Sequence, residues 1–108
     1  MANNFTRYPA KNVGTTPVVL VTAASATQTT VIGLTAANTS AAPVTVDVYF
    51  TSATVNYYIV KGATVAVGGS LALFGADGKL VLNTGDAFTV VSSAASSIDV
   101  VTSVLQIT

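Results

Sequence analysis

The sequence contains no cysteine, histidine, tryptophan or glutamate. Without cysteine there is no disulfide framework, iron–sulfur cluster or thiol nucleophile. Without histidine the chain lacks the commonest general base and the commonest metal ligand. These absences predict a protein that is not an enzyme and that has no catalytic residues, no cofactor and no metal site.

Charge is the next scarce property. Only 7% of the 108 residues are charged, and four Lys+Arg balance four acidic residues, whereas an average soluble domain carries charge at about a quarter of its positions. Zero net charge excludes the basic surface that binds nucleic acid. Polar residues interrupt every window of about 18 residues, which excludes a transmembrane helix. The N-terminus also lacks the basic start and apolar stretch of a signal peptide, so we expect synthesis in the cytoplasm and no membrane partner.

Apolar residues that alternate with polar ones determine the fold class. In 44–51 every second side chain is Val or Phe, which is the pattern of a half-buried strand. The segment 98–107 alternates too, but both of its faces carry apolar residues, so we expect that strand to be central or covered on both sides. The length fits one domain.

Shorter β-branched runs between turn signals predict further strands. Gly68-Gly69 predicts a hairpin, Gly85 and the segment 76–79 predict tight turns, and 94–96 is the only candidate for a short helix. About eight strands, spaced about ten residues apart, match an antiparallel β-sandwich of jelly-roll or Ig-like type. The additional strands are predicted at 18–23, 29–38 (with Ile32, Leu34 and Ala36 on one face), 55–61, 64–67, 70–74, 79–82 and 87–91.

The first 17 residues differ from the rest of the chain. They hold two of the four cations, two aromatic residues and two of the three prolines, and they show no clear alternation before Val18. We interpret residues 1–17 as an extended N-terminal arm and residues 18–108 as the β-sandwich domain. A frayed terminus is the alternative. The residues expected to dock the arm onto a neighbouring surface are Phe5, Arg7, Tyr8 and Lys11.

Few residues could support chemistry. The carboxylates Asp47 and Asp99 lie on strand faces, while Asp77 and Asp86 lie in turns, and no spacing brings two of them together as a hydrolase needs. One carboxylate in 75–78 is too few for a calcium loop. A serine nucleophile would need Lys61 or Lys79 as its base, and both lysines are better explained as charges that protect strand edges.

The tyrosines Tyr49, Tyr57 and Tyr58 offer a second candidate site. Together they could form a surface aromatic patch that stacks on sugars or bases. Sugar sites usually rely on tryptophan as well, and the chain has none. The alternative, which we favour, is that these residues fill one sandwich face and present hydroxyl groups on the other.

A β-protein with so little charge suits a chain that is packed against other chains. Charged residues normally keep sheet edges apart and surfaces soluble, and the cores of obligate interfaces are depleted in charge. We therefore expect an obligate homo-oligomer or a component of a larger assembly, with other copies of itself as partners.

Several motifs resemble those of small virion structural proteins of tailed bacteriophages. They are Met1-Ala2-Asn3-Asn4-Phe5-Thr6-Arg7-Tyr8, Lys11-Asn12-Val13-Gly14-Thr15, Thr30-Val31-Ile32-Gly33-Leu34, Val46-Asp47-Val48-Tyr49, Lys79-Leu80-Val81-Leu82-x-x-Gly85-Asp86 and Ser103-Val104-Leu105-Gln106-Ile107. The resemblance covers most of the chain and implies a non-enzymatic β-sandwich, made in the bacterial host cytoplasm and incorporated into the virion.

Within this class, capsid decoration (a cement protein) is the leading hypothesis, with the arm reaching onto the major capsid protein or a neighbouring subunit. A protein of the neck, tail or fibre is the first alternative. A host-glycan-binding β-sandwich module, using the three tyrosines, is the alternative from another class.

Overall fold

The computed structural model describes residues 3–74 and 79–108. Over these residues the chain contains strands and turns and no helix, so the short helix considered for 94–96 does not form. In the same residues, no helix has the length and apolarity needed to cross a membrane. The strands are β1 (Asn3–Val13), β2 (Val18–Thr22), β3 (Gln28–Asn38), β4 (Val44–Ser52), β5 (Val55–Val65), β6 (Ser70–Leu73), β7 (Leu80–Leu82), β8 (Ala87–Ser92) and β9 (Ile98–Ile107).

The strands form two antiparallel sheets, which confirms the predicted all-β sandwich. Sheet I has the order β1-β9-β3-β6, with β7 also paired to β3. Sheet II has the order β2-β8-β4-β5. The chain changes sheets at most of its connections, an order that matches a jelly roll and not an Ig domain.

The core lies between the two sheets and consists mainly of valine. Alternate residues of β4, β8 and β9 point inward and are fully buried, with Phe88 as the largest of them. Valine suits these positions because a branched side chain packs well on a pleated surface. The buried valines include Val31, Val46, Val48, Val90, Val100 and Val104.

Strand β9 is central in sheet I, between β1 and β3. This position confirms the prediction made from its two apolar faces, although Val101 on its outer face remains exposed. A register shift between Val31 and Gly33 of β3 corrects one facing assignment: Val31, not Ile32, is buried with Leu34 and Ala36. The extra residue of a bulge reverses the alternation that follows it.

Two residues close the β4–β5 hairpin, Ala53 and Thr54, and both have positive φ angles of 51° and 66°. Hairpin turns of this kind favour Asn-Gly because L-residues with a Cβ, above all β-branched ones, are strained there. The turn is therefore held by the pairing of the flanking strands and not by its own sequence.

The prediction of a hairpin at Gly68-Gly69 is wrong. Residues 64 and 65 continue β5 in sheet II, whereas β6 belongs to sheet I, so the two glycines carry the chain from one sheet to the other. Gly68 has a φ of 72° and Gly69 donates to the Ala66 carbonyl, so the local turn is present although the strands do not pair. The calcium loop considered at 75–78 lies outside the described residues, and so does most of the turn predicted for 76–79.

Residues 3–13 of the predicted arm form β1, which is extended and pairs antiparallel with β9. Its side chains alternate between exposed and half-buried positions, and the last of them, Val13, is buried in the core. This segment is thus hydrogen-bonded along the sandwich itself. Its alternation is hard to see in the sequence because the inward positions hold Thr6, Tyr8 and Ala10, which are not strongly apolar.

Candidate assembly surfaces

The outer face of sheet I presents two of the predicted docking residues, Phe5 and Arg7. Phe5 is 75% exposed, and Arg7 is paired across the ladder with Ser103. Together with Ile32 they line a shallow depression of about 310 Å³ whose remaining lining residues are Thr6, Ser103 and Val104. The side chains available for contact here are thus one aromatic ring and one guanidinium group.

The other two predicted docking residues have partners within the chain. Tyr8 is half-buried against the core, and its hydroxyl accepts a hydrogen bond from Gln106 Nε2 at 3.0 Å. Lys11 Nζ lies 3.3 Å from Asp99 Oδ2. The structure therefore divides the four residues into two that face outward and two that hold β1 against the sandwich.

Asp99 anchors the end of β1. Its Oδ1 accepts a hydrogen bond from the Asn12 backbone N–H at 2.9 Å, next to a register shift of the ladder between Ala10 and Val13. This hydrogen bond, together with the nearby Lys11, lowers the pKa of the Asp99 carboxyl below its ordinary value. The carboxylate thus satisfies a backbone group that the interrupted ladder leaves unpaired.

On sheet II the structure brings Tyr49 and Tyr58 together. They are directly paired across β4 and β5, and their ring centroids lie 4.9 Å apart. Lys61 Nζ sits 4.4 Å from the centre of the Tyr58 ring and 4.0 Å from Asp47 Oδ2. Burial, with smaller effects from Tyr58 and Asp47, raises the pKa of the Tyr49 hydroxyl.

Tyr57 does not join this pair. It precedes Tyr58 in β5, lies on the opposite face and stacks on Phe50, with centroids 5.2 Å apart and planes at 20°. Adjacent residues of a strand point to opposite faces, so the three rings do not form one continuous patch. The Lys61 cation also lies over the Tyr58 ring, so it covers part of the Tyr49–Tyr58 pair.

Each described aspartate accepts a hydrogen bond from a backbone N–H at an irregular point of the chain. Besides Asp99, Asp47 Oδ1 accepts from Gly62 at 2.7 Å, and the buried Asp86 accepts from Asn83 at 3.0 Å. They lie in sheet I, in sheet II and in the β7–β8 turn respectively. Within residues 3–74 and 79–108, no three acidic side chains group as metal ligands would. These contacts give the described aspartates a structural role, since each carboxylate accepts a hydrogen bond from a backbone group.

A surface that sequence reasoning missed lies on the free edge of β5. Among the described strands β5 pairs only with β4. Five consecutive residues, Val55–Ile59, are exposed, the four apolar or aromatic ones to 49% (Val55), 50% (Tyr57), 44% (Tyr58) and 36% (Ile59). The sequence does indicate an unprotected strand here, because residues 48–60 contain neither charge nor proline. We call Val55–Ile59 the open edge.

No protein-family model matches the sequence, and no curated protein shows significant similarity to it. The fold is similar to a solved structure described as "Bacillus endospore appendages form a novel family of disulfide-linked pili". The match has a TM-score of 0.59 at 15% identity and covers 99% of this chain and 87% of the other. At this identity the likeness establishes a shared β-sandwich fold.

Proposed function

We propose that this protein is a non-enzymatic structural subunit that assembles with copies of itself. One observation carries the proposal: large apolar side chains are exposed on both sheets, while most of the few charged side chains form ion pairs or hydrogen bonds within the chain. Phe5, Val81 and Val101 are exposed on sheet I, and Val19 and the open edge on sheet II. Two of the described cations are paired with aspartates. Such a surface is stabilised by contact with a neighbouring chain.

The similarity to a pilus protein supports this class of function. That protein is described as disulfide-linked, whereas this sequence has no cysteine. Copies of this chain would therefore be joined by strand pairing and apolar contact, and their assembly would be insensitive to reducing agents.

The finer proposal is that the assembly is the virion of a tailed bacteriophage, with capsid decoration as the role and the major capsid protein as partner. It rests on the sequence resemblance. Phe5 and Arg7 on the outer face of sheet I are the side chains available to contact a shell. A position on the neck, tail or fibre is the variant of this proposal in which the same face contacts a tube or fibre.

Light scattering of the purified protein at increasing concentration tests the proposal. We expect a mass above that of the monomer, unchanged by about 0.5 M salt or by reductant, because salt at this level screens ionic contacts but not apolar ones. A monodisperse monomer at all concentrations would contradict it. Electron microscopy of the same samples separates the finer possibilities, since closed oligomers suit capsid decoration whereas open filaments suit an appendage.

A further inference from the structure

The four sheet edges are not protected equally. β1 carries Arg7, Pro9 and Lys11, while β2, β6 and β7 have only five, four and three residues. Charge, proline and shortness are the usual means by which a sheet edge avoids pairing with other chains. β5 is 11 residues long, and its outer part, the open edge, has none of them. Its first charge, Lys61, comes after the open edge.

From Val55 to Tyr58 the open edge also has regular backbone geometry, and Ile59 is the extra residue of the register shift that follows. Ser52 pairs with Val55, Thr51 with Asn56, Phe50 with Tyr57 and Tyr49 with Tyr58, and the register shifts only beyond Tyr58. A two-residue turn closes on a hydrogen bond to the Val55 N–H, and hydrogen-bonding directions alternate along an antiparallel strand. The N–H and C=O groups of Asn56 and Tyr58 therefore point away from β4, toward the free edge.

These groups are self-complementary in one register. When two copies of the open edge meet antiparallel with Tyr57 opposite Tyr57, Asn56 of each copy lies opposite Tyr58 of the other. Both residues direct their backbone groups to the free edge, so they form the hydrogen-bonded pairs of a ladder. The same register brings the Tyr57 side chains of the two copies together on one face of the joined sheet, so aromatic side chain meets aromatic side chain.

Charge does not oppose this pairing. Residues 48–60 are uncharged, and in this register each Lys61 lies opposite residue 53 of the other copy. The two Lys61 residues are then eight positions apart, or about 26 Å at 3.3 Å per residue, beyond the screening length of about 8 Å at physiological salt. A twofold pairing of this kind requires only one surface patch, which every copy carries.

We propose that the open edge is a self-association site at which β5 of one copy pairs antiparallel with β5 of a second copy about Tyr57, joining two copies of sheet II into one continuous sheet. The proposal rests on the proposed function and names one contact of that assembly.

Charge variants at Tyr57 test the register. Tyr57→Lys and Tyr57→Asp each place two like charges opposite each other in the pairing, so each weakens self-association by about tenfold or more. An equimolar mixture of Y57K and Y57D places lysine opposite aspartate and restores association to within about threefold of the native value. Each chain carries only one of the two charges at this position, so this rescue arises only between copies. Sedimentation velocity over a dilution series measures it.

Hydrogen exchange on the native protein gives a readout that needs no variant. The amides of Asn56 and Tyr58 are expected to exchange quickly in dilute solution and at least about tenfold more slowly in concentrated solution, because pairing protects them. The amides of Val55 and Tyr57 face β4 and serve as controls whose rates change little.

The outcomes distinguish failure of the open-edge contact from failure of the proposed function. A chain that is monomeric at all concentrations overturns the proposed function and the open-edge contact together. A chain that oligomerises, but in which Y57K and Y57D have no effect and the Asn56 and Tyr58 amides exchange at one rate, keeps the proposed function and overturns the contact. Loss of association in both single variants without rescue in their mixture overturns the Tyr57-centred register, and leaves another register or another strand of a second copy as the contact.

Discussion

The two long edge strands, β1 and β5, have equal lengths of 11 residues and opposite properties. β1 is fixed to the sandwich by its side chains: Tyr8, Ala10 and Val13 pack on the core, and Lys11 and Asn12 bind Asp99. Its cations and its proline are residues of the kind that keep an exposed sheet edge from pairing with other chains. The outer part of β5 has an apolar surface exposed to solvent and no such protection.

The difference shows that extended conformation alone does not make a segment an attachment arm. The segment that looked basic and aromatic in the sequence belongs largely to the molecule's own sheet, whereas the segment available for pairing looked like an ordinary strand. Arg7, Pro9 and Lys11 are better explained as protection of an edge. Phe5 and Arg7 keep the proposed role of contacting a neighbour on the outer face.

Removing β1 is expected to have the largest effect. Deletion of residues 3–12 uncovers the edge of β9 and removes Tyr8 and Ala10 from the core, at a cost of at least about 3 kcal/mol in the free energy of unfolding. Urea denaturation measures it. As a control, Phe5→Thr changes only an exposed side chain and shifts stability by about 0.5 kcal/mol or less. A deletion variant with native stability would show that residues 3–12 form an independent arm.

Making β1 resemble β5 is expected to create a second open edge. The variant R7T/P9T removes a charge and restores a backbone N–H, so β1 should pair with other copies and lower the solubility of the protein severalfold. The matched control R7K keeps the charge and Pro9 and should behave as the native protein. Sedimentation of both variants in a Y57K background isolates the new contact. Unchanged association of R7T/P9T would mean that these residues do not protect the edge.

Relieving the turn between β4 and β5 is expected to stabilise the fold by about 1–2 kcal/mol. The variant A53N/T54G places at both positive-φ positions residues that accept this conformation. The pairing of Val55–Tyr58 with β4 should remain, so self-association should not weaken. Thermal unfolding gives the stability change, and Ala53→Val, which adds a β-branched residue at positive φ, should lower the stability. Equal stability of A53N/T54G and A53V would contradict the assigned strain.

The smallest expected effect concerns the anchor of β1. Because the pKa of Asp99 is lowered in the folded state, its ionised form stabilises the fold above its ordinary pKa of about 4, and this contribution is lost as the pH falls through the folded-state pKa. Asp99→Asn should therefore cost about 0.5–1 kcal/mol at pH 7 and less near pH 2. Urea unfolding at both pH values measures the difference. A cost that does not depend on pH would assign the effect to packing.

The sequence predicted most of the strands because alternation is local. Strands β4 and β9 are visible from every second residue, and Gly68 and Gly85 mark real turns with positive φ. The sheet to which a strand belongs depends on distant partner strands. Two consecutive glycines occur both in hairpins and in connections between two sheets, as they do here between β5 and β6. Ile32 was assigned to the wrong face because a bulge depends on the partner strand.

The candidate sites were predictable only in part, for a related reason. The sequence offers aromatic and basic residues as candidates for contact with a partner, but the faces on which they lie follow from register. Tyr57 and Tyr58 are adjacent in sequence and therefore on opposite faces, so no patch of the three tyrosines forms. The open edge could have been found from the uncharged, proline-free run at 48–60, had edge position been known.

The pairing of β1 with β9 also has a consequence for the order of folding. Paired residues of the two strands are 85 (Val13 and Ile98) to 104 (Asn3 and Ile107) positions apart in sequence, and ladders between distant segments form slowly because a long loop must close first. The β4–β5 hairpin needs only a two-residue turn, and hairpins form in about 1–10 μs. The open edge would then be exposed before the N-terminal strand pairs with β9, so newly made chains could associate through β5 before sheet I is complete.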